Sequence, residues 1–327
     1  METLAECRSL EELVNRLKAT PYSDAVSKMQ APYSARRLEL ALRERMADVH
    51  IRLTRSSPGY ELLRHYYLKY IAWNLKSALK SKALNKSYEE AMLYIDLHAE
   101  ELVGRRELIV KVVSAKDIQE ATAALAGTEF GEDVTRATAT FVKEGEVRVF
   151  DLFVDHTLYQ TIARSFSEKP GGRAGGASLE SATKIVALDV DTYNVLSLLR
   201  AKLWGLSSME TNALLVTPTF DVPLGTLQKI ALAESVSEAL SALSTSRYAA
   251  PLPSGATDEE MIDKLEERFN DLGYEAAKKS FLWNSFQVGA TLALVKLMEF
   301  EVRNVSAIAF GVEAGIPAKN VLPELKL

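Results

Sequence analysis

Cysteine is almost missing from this chain of 327 residues: Cys7 stands alone, so no intramolecular disulfide and no multi-cysteine zinc site can form. Proline is scarce at ten residues, which leaves long stretches where nothing interrupts a helix. An excess of positive charge is missing too. Lys plus Arg is 39 against 44 Asp plus Glu, a net charge of −5, and this argues against a nucleic-acid partner. Long apolar runs are lacking: Val288–Val295 contains Gly289 and Thr291 and stops at Lys296, short of the ~18 residues of a membrane span. The stretch Met1–Cys7 is acidic, without the basic-then-apolar layout of a signal peptide. These absences predict a soluble, cytoplasmic chain with no direct membrane span, large enough at 36.1 kDa for two or three domains.

Catalytic signatures are equally thin. His50, His65, His98 and His156 form no His-x-x-x-His or His-Glu-x-x-His pair, and no Gly-x-Ser-x-Gly elbow is present. Asp96–His98 and Asp155–His156 set a carboxylate near an imidazole. Residues one or two apart diverge on a helix, so solvated faces are the expected setting. Residues 169–178 are rich in glycine but lack the Gly-Lys-Ser/Thr ending of a phosphate loop, and read as a connector. No catalytic residue, metal ligand or cofactor site is expected.

What is present is helix. Leu10, Leu13 and Leu17, then Leu38, Leu42, Met46 and Val49, then Ile262, Leu265 and Phe269 fall at helical spacing. Thr257 with Glu260 fits a capping box ahead of the last of these. One segment, Thr138–Val154, has β-branched and aromatic residues around Glu144-Gly145 and admits a β-hairpin as the alternative to helix. The chain otherwise reads as all-α.

The chain also repeats itself. Segments around Asn74, Asn194 and Asn304 align: Leu75, Val195 and Val305 follow the asparagine, and a small residue stands seven positions on, as Ser81, Ala201 and Gly311. A second mark, Leu-x-x-Thr/Ser-x-aromatic, recurs at Leu17–Tyr22, Leu125–Phe130 and Leu243–Tyr248. The two marks alternate in order, giving three related helical domains over residues 1–115, 116–235 and 236–327. The helical neighbours of each asparagine are mostly apolar or small. Each amide is therefore expected to be buried, bonded to the backbone of a neighbouring helix, and structural rather than substrate-binding.

The string Asp191-x-x-Asn194-Val195-x-x-Leu198-Leu199-Arg200-Ala201-Lys202-x-x-Gly205 resembles the signature of the C subunits of archaeal and bacterial A-type/V-type rotary ATPases, equivalent to the d subunits of eukaryotic vacuolar ATPases. Glu301–Gly311 followed by Gly315-Ile316-Pro317 is similar to that family's C-terminal helix. The first copy departs, with Ile71 at the acidic position and Asn85 at the glycine. The resemblance implies a funnel of three helical domains around a pseudo-threefold axis. Its mouth would receive the central shaft subunits. Its base would rest on the membrane ring of ion-carrying subunits at the cytoplasmic face. It further implies a non-catalytic role, carrying torque between ATP chemistry and H⁺ or Na⁺ movement. The turns after the asparagine helices, at Gly205 and Ser207 and at Gly315 and Pro317, are the candidate partner contacts. A helical-repeat scaffold of another assembly is the competing reading, and an enzyme with an unrecognised carboxylate site is the third.

Overall fold

A computed structural model describes residues 1–57, 60–167, 176–244, 246–248, 255–283 and 288–326, and no strand occurs among them. In chain order the α-helices are α1 Glu2–Ala5, α2 Leu10–Leu17, α3 Ser23–Val26, α4 Ala35–Ser56, α5 Tyr60–Ala83, α6 Tyr88–Met92, α7 His98–Glu101, α8 Arg106–Ser114 and α9 Ile118–Ala123. They continue with α10 Gly131–Glu144, α11 Val149–Ser167, α12 Gly176–Leu203, α13 Ser208–Asn212, α14 Leu224–Leu232, α15 Val236–Ala242, α16 Asp258–Trp283, α17 Val288–Glu313 and α18 Ala318–Val321. The glycine-rich connector lies mostly outside the described residues.

The hairpin alternative over Thr138–Val154 is corrected: the segment is the end of α10 and the start of α11. Gly145 takes φ of 74°, and its N–H bonds to the Phe141 carbonyl at 2.8 Å, so it ends α10 as a left-handed cap instead of turning a hairpin. Val149, Phe150, Phe153 and Val154 are buried at helical spacing, and this burial overrides their strand propensity.

Helix starts are set by local chemistry. Ser9, Asp117 and Ser235 each accept the N–H three residues on, from Glu12, Glu120 and Glu238 at 3.2, 2.8 and 3.1 Å. Those three glutamates reach back to the N–H of Arg8, Lys116 and Glu234. The short helices α2, α9 and α15 therefore begin alike. They end alike at the second sequence mark: Thr20, Thr128 and Ser246 donate their hydroxyls to the carbonyls of Leu17, Leu125 and Leu243 at 2.6, 2.7 and 2.8 Å. The aromatic that follows, Tyr22, Phe130 or Tyr248, is buried.

Packing follows a cyclic rule. Helices α4, α11 and α16 each pack on the asparagine helix of their own copy, α5, α12 and α17. Each also packs on the asparagine helix of the preceding copy: α11 on α5, α16 on α12, and α4 on α17. The capped helices obey the same rule, α9 on α5, α15 on α12 and α2 on α17. The ends of the chain therefore share one apolar core. Leu13, Leu17, Leu38, Leu42 and Met46 pack with Val302, Val305, Ile308 and Leu325. A larger core runs from Leu63 to Ala293.

Candidate functional site

Each asparagine reaches a backbone 22 residues downstream. Asn194 Nδ2 donates to the Val216 carbonyl at 3.1 Å, and its Oδ1 accepts the Val216 N–H at 2.9 Å. Asn304 does the same with Lys326, at 2.6 and 3.1 Å. Asn74 keeps the donor half, to the Asp96 carbonyl at 2.5 Å, and also meets both carboxylate oxygens of Glu100 at 2.9 Å. All three side chains are buried, Asn194 completely. The backbone partners lie in non-helical segments rather than in a neighbouring helix. The physical reason is that helix backbone is already bonded to itself, whereas an extended segment brought inside has groups to satisfy.

The residues between asparagine and partner form a repeated turn. Asn85, Gly205 and Gly315 adopt φ of 53°, 78° and 68°. The next N–H, of Lys86, Leu206 or Ile316, bonds back to the carbonyl of Ser81, Ala201 or Gly311 at 2.9, 2.9 and 2.8 Å. This is the Schellman arrangement, and asparagine serves at the first copy because it tolerates the left-handed region. Ser87 and Ser207 then open α6 and α13 with full capping boxes, while Pro317 precedes α18. Ser81, Ala201 and Gly311 are buried under this returning turn. A methyl group on Gly311 would lie 2.7 Å from Val321 Cγ2. Gly205, Ser207, Gly315 and Pro317 are exposed, with Met209, Phe310 and Ile316 as exposed apolar neighbours. The asparagines are thus not brought together; each holds its own turn.

The charged residues meet elsewhere, in a cavity of about 560 Å³ bounded by α5, α11, α12, α16 and α17. Lys76 pairs with Asp155 at 2.8 Å, Lys80 with Asp151 at 2.8 Å and Arg200 with Glu266 at 2.6 Å. Lys296 bridges Asp189 at 3.0 Å and Glu299 at 3.4 Å. Tyr66 Oη donates to Asp189 Oδ2 at 2.9 Å, and the buried Lys69 Nζ faces the Glu299 carboxylate. Burial, aided by Lys296 and opposed by Asp189, pushes the Lys69 ammonium well below its usual range. Most of these pairs cross between helices of different copies, so each of those ties two repeats together. Sequence reading missed them because most partners lie on different helices, 66 to 107 residues apart for the ion pairs Lys80–Asp151, Lys76–Asp155, Arg200–Glu266 and Lys296–Asp189, and nothing in the sequence says which helices meet.

His98 and His156 are paired between helices instead of standing on open solvated faces. His98 Nε2 meets Asp48 Oδ1 at 2.8 Å, and His156 Nδ1 meets Asp133 Oδ2 at 2.6 Å, both partly sheltered between helices. His50 is fully buried between the Leu63 carbonyl at 2.9 Å and the Tyr70 hydroxyl at 3.3 Å. Burial, with Lys69 nearby, holds its pKa well below the usual imidazole range. His50 is therefore neutral, Nε2–H donating to Leu63 and Nδ1 accepting from Tyr70. Among the described residues no group of three or more His, Cys, Asp or Glu is arranged to hold a metal ion. None of their helices is long and apolar enough to cross a membrane.

Comparison with known proteins identifies the family of the chain. Residues 1–322 match the model of the ATP synthase (C/AC39) subunit family. The C subunit of the A-type ATP synthase from Pyrococcus horikoshii is 26% identical over 314 residues, covering 94% of this chain and 79% of that protein. Those from Haloferax volcanii and Desulfurococcus sp. are 24% and 25% identical, covering 96% and 97% of this chain and 88% and 83% of theirs. With almost its whole length matched, this chain belongs to the ATP synthase (C/AC39) subunit family.

Proposed function

We propose that the chain is the non-catalytic central-stalk subunit of an A-type/V-type rotary ATPase. In this reading the three copies, residues 1–115, 116–235 and 236–327, stand around a pseudo-threefold axis as a funnel. The polar cavity is its mouth and accepts the central shaft subunits. The turns at Gly205–Ser207 and Gly315–Pro317 belong to the partner-facing rim, and the opposite end rests on the cytoplasmic face of the membrane ring of ion-carrying subunits. Turning with shaft and ring, the funnel transmits torque between ATP chemistry and H⁺ or Na⁺ movement, with no cofactor of its own.

The observation that carries the reading is the cyclic packing, in which every copy leans on the one before and the last is closed by the first. A torque carrier must resist shear between its parts, and interlocked helices with interior ion pairs do so because close-packed interiors scarcely deform. An open helical-repeat scaffold would leave two free ends. In this chain the ends meet, with the Ala35 N–H bonding to Glu313 Oε1 at 3.0 Å. The family match over residues 1–322 supports the same reading.

The test is affinity purification of the tagged full chain from its native membranes. Recovery with a multi-subunit ATPase, and loss of ATP-driven ion transport when the chain is stripped from that complex, is the expected result. Recovery alone, or with an assembly lacking ATPase activity, overturns the reading.

A further inference from the structure

The first copy departs from the other two at the asparagine itself. In the second and third copies the amide exchanges two bonds with one backbone residue, and its hydrogen bonds include no ionisable side chain. In the first copy the acceptor half of that exchange is missing and a carboxylate takes its place: Glu100 is 0% exposed, with both oxygens 2.9 Å from Asn74 Nδ2. A neutral amide is a poor counterpart for a buried negative charge, which needs a cation or several strong donors.

The surroundings offer little compensation. From α4, Glu44, Asp48 and Arg55 face this region, with Lys28 beside Glu44, while Arg36 bonds the Tyr94 carbonyl at 2.9 Å and is already paired with Glu39. Along the segment itself stand Asp96, His98 and Glu101, with His98 already committed to Asp48. Ahead of α8, Arg105 is the cation acting on Glu100, but both its terminal nitrogens are engaged by Glu129, while Arg106 meets Glu101 at 3.1 Å. From α5, Tyr67 donates to the Ala99 carbonyl at 3.0 Å, and Asn74 holds the Asp96 carbonyl. Acidic groups outnumber uncommitted cations around a fully enclosed carboxyl.

We propose that the first clamp is a pH-responsive latch, in which protonated Glu100 keeps segment 93–101 seated on α5 and ionised Glu100 lets it lift. Burial, aided by Asp96 and opposed by Asn74, by the residue's own backbone N–H and by Arg105, pushes the Glu100 carboxyl from 4.5 up to about 7. A raised acid favours the protonated folded form. Its contribution is complete below 4.5 and is lost as pH rises through about 7. The segment carries the exposed side chains of Leu93 and Tyr94, so the latch moves an apolar surface with a change in proton concentration. Its operation does not depend on the rotary assignment.

Hydrogen exchange of the isolated full chain tests it, with rates corrected for the chemical effect of pH. Amides of 93–101 are expected to lose protection by roughly ten-fold or more between pH about 5 and pH about 8. Segment 322–326, held by the third clamp, should change far less. Glu100→Gln should hold 93–101 at its low-pH protection throughout. Flat protection of 93–101 in the parent, or an unaltered pH slope in the variant, overturns the proposal. Should Glu100→Gln fail to fold, carbon-13 titration of the parent's glutamate carboxyls decides. A glutamate titrating near neutrality supports the latch, and all titrating in the ordinary range refutes it.

Discussion

The Tyr248 hydroxyl donates to Asp191 Oδ2 at 2.9 Å, joining the aromatic of one sequence mark to the acidic residue three positions before the asparagine of the other. Tyr22 makes the same contact with Glu301 at 2.7 Å, across the junction where the last copy meets the first. At the remaining junction both polar partners are replaced together, by Phe130 and Ile71, and both replacements are buried. An unpaired hydroxyl or carboxylate in that place costs about 1–3 kcal/mol, so the two positions change as a pair.

This pairing predicts strong coupling. Tyr248→Phe and Asp191→Ile should each destabilise the chain, by about 1–3 kcal/mol. The double variant, which copies the Phe130–Ile71 junction, should cost clearly less than the two single changes added. Chemical denaturation of the four proteins checks it, and strict additivity would refute the coupling.

Asn194→Leu removes both bonds to Val216 and strands a carbonyl and an N–H inside the protein. A loss of about 2–4 kcal/mol follows if each orphan costs its usual amount. A melting curve identical to the parent's would show that Asn194 does not hold the second turn.

The left-handed residue of each turn tolerates asparagine in the first copy, so Gly205→Asn should be nearly neutral while Gly205→Val costs about 1–2 kcal/mol or more. Gly311→Ala is expected to destabilise for another reason, since its methyl group meets Val321. Thermal melting of the three variants ranks them. Equal effects of asparagine and valine at 205 would contradict the conformational argument.

Glu299→Gln leaves Lys69 buried without its carboxylate and should cost about 3–5 kcal/mol, whereas Lys69→Met combined with Glu299→Leu should recover much of that loss. Chemical denaturation of the parent and the two variants checks it, and a double variant no more stable than Glu299→Gln would refute the pairing.

Stability should also fall as pH rises through the carboxylate range. Burial, with Asp221 nearby and Tyr248 opposing, raises the Asp191 carboxyl from 3.8 to about 6. A raised acid stabilises fully below its unfolded value, and that contribution is lost on passing the folded one. Asp191→Asn should flatten the melting profile between pH about 4 and pH about 6, and an unchanged profile would assign the slope elsewhere.

Much of this fold was legible because the chain writes it three times. Asn194, Gly205 and Ser207 recur at fixed spacing in Asn304, Gly315 and Pro317, and spacing survives where identity does not. The Tyr–acid junctions were legible in principle: Ile71 and Phe130 are two visible departures, both buried in the same core, whose connection needs only the knowledge that the two marks meet in the other copies. The cavity charges were not legible. Lys76 and Asp155, or Lys296 and Asp189, are ordinary surface residues on a helical wheel until five helices turn them inward. The hairpin alternative failed because Gly145 punctuates helices as readily as it turns strands.

The closure of α4 onto α17 has a consequence for biosynthesis. Leu13, Leu38, Leu42 and Met46 leave the ribosome well before Val302, Val305 and Ile308, which share their core, have been made. That face therefore waits, half bare, while more than two hundred residues are added. Chaperone occupancy on nascent chains should be heavy there until α17 emerges.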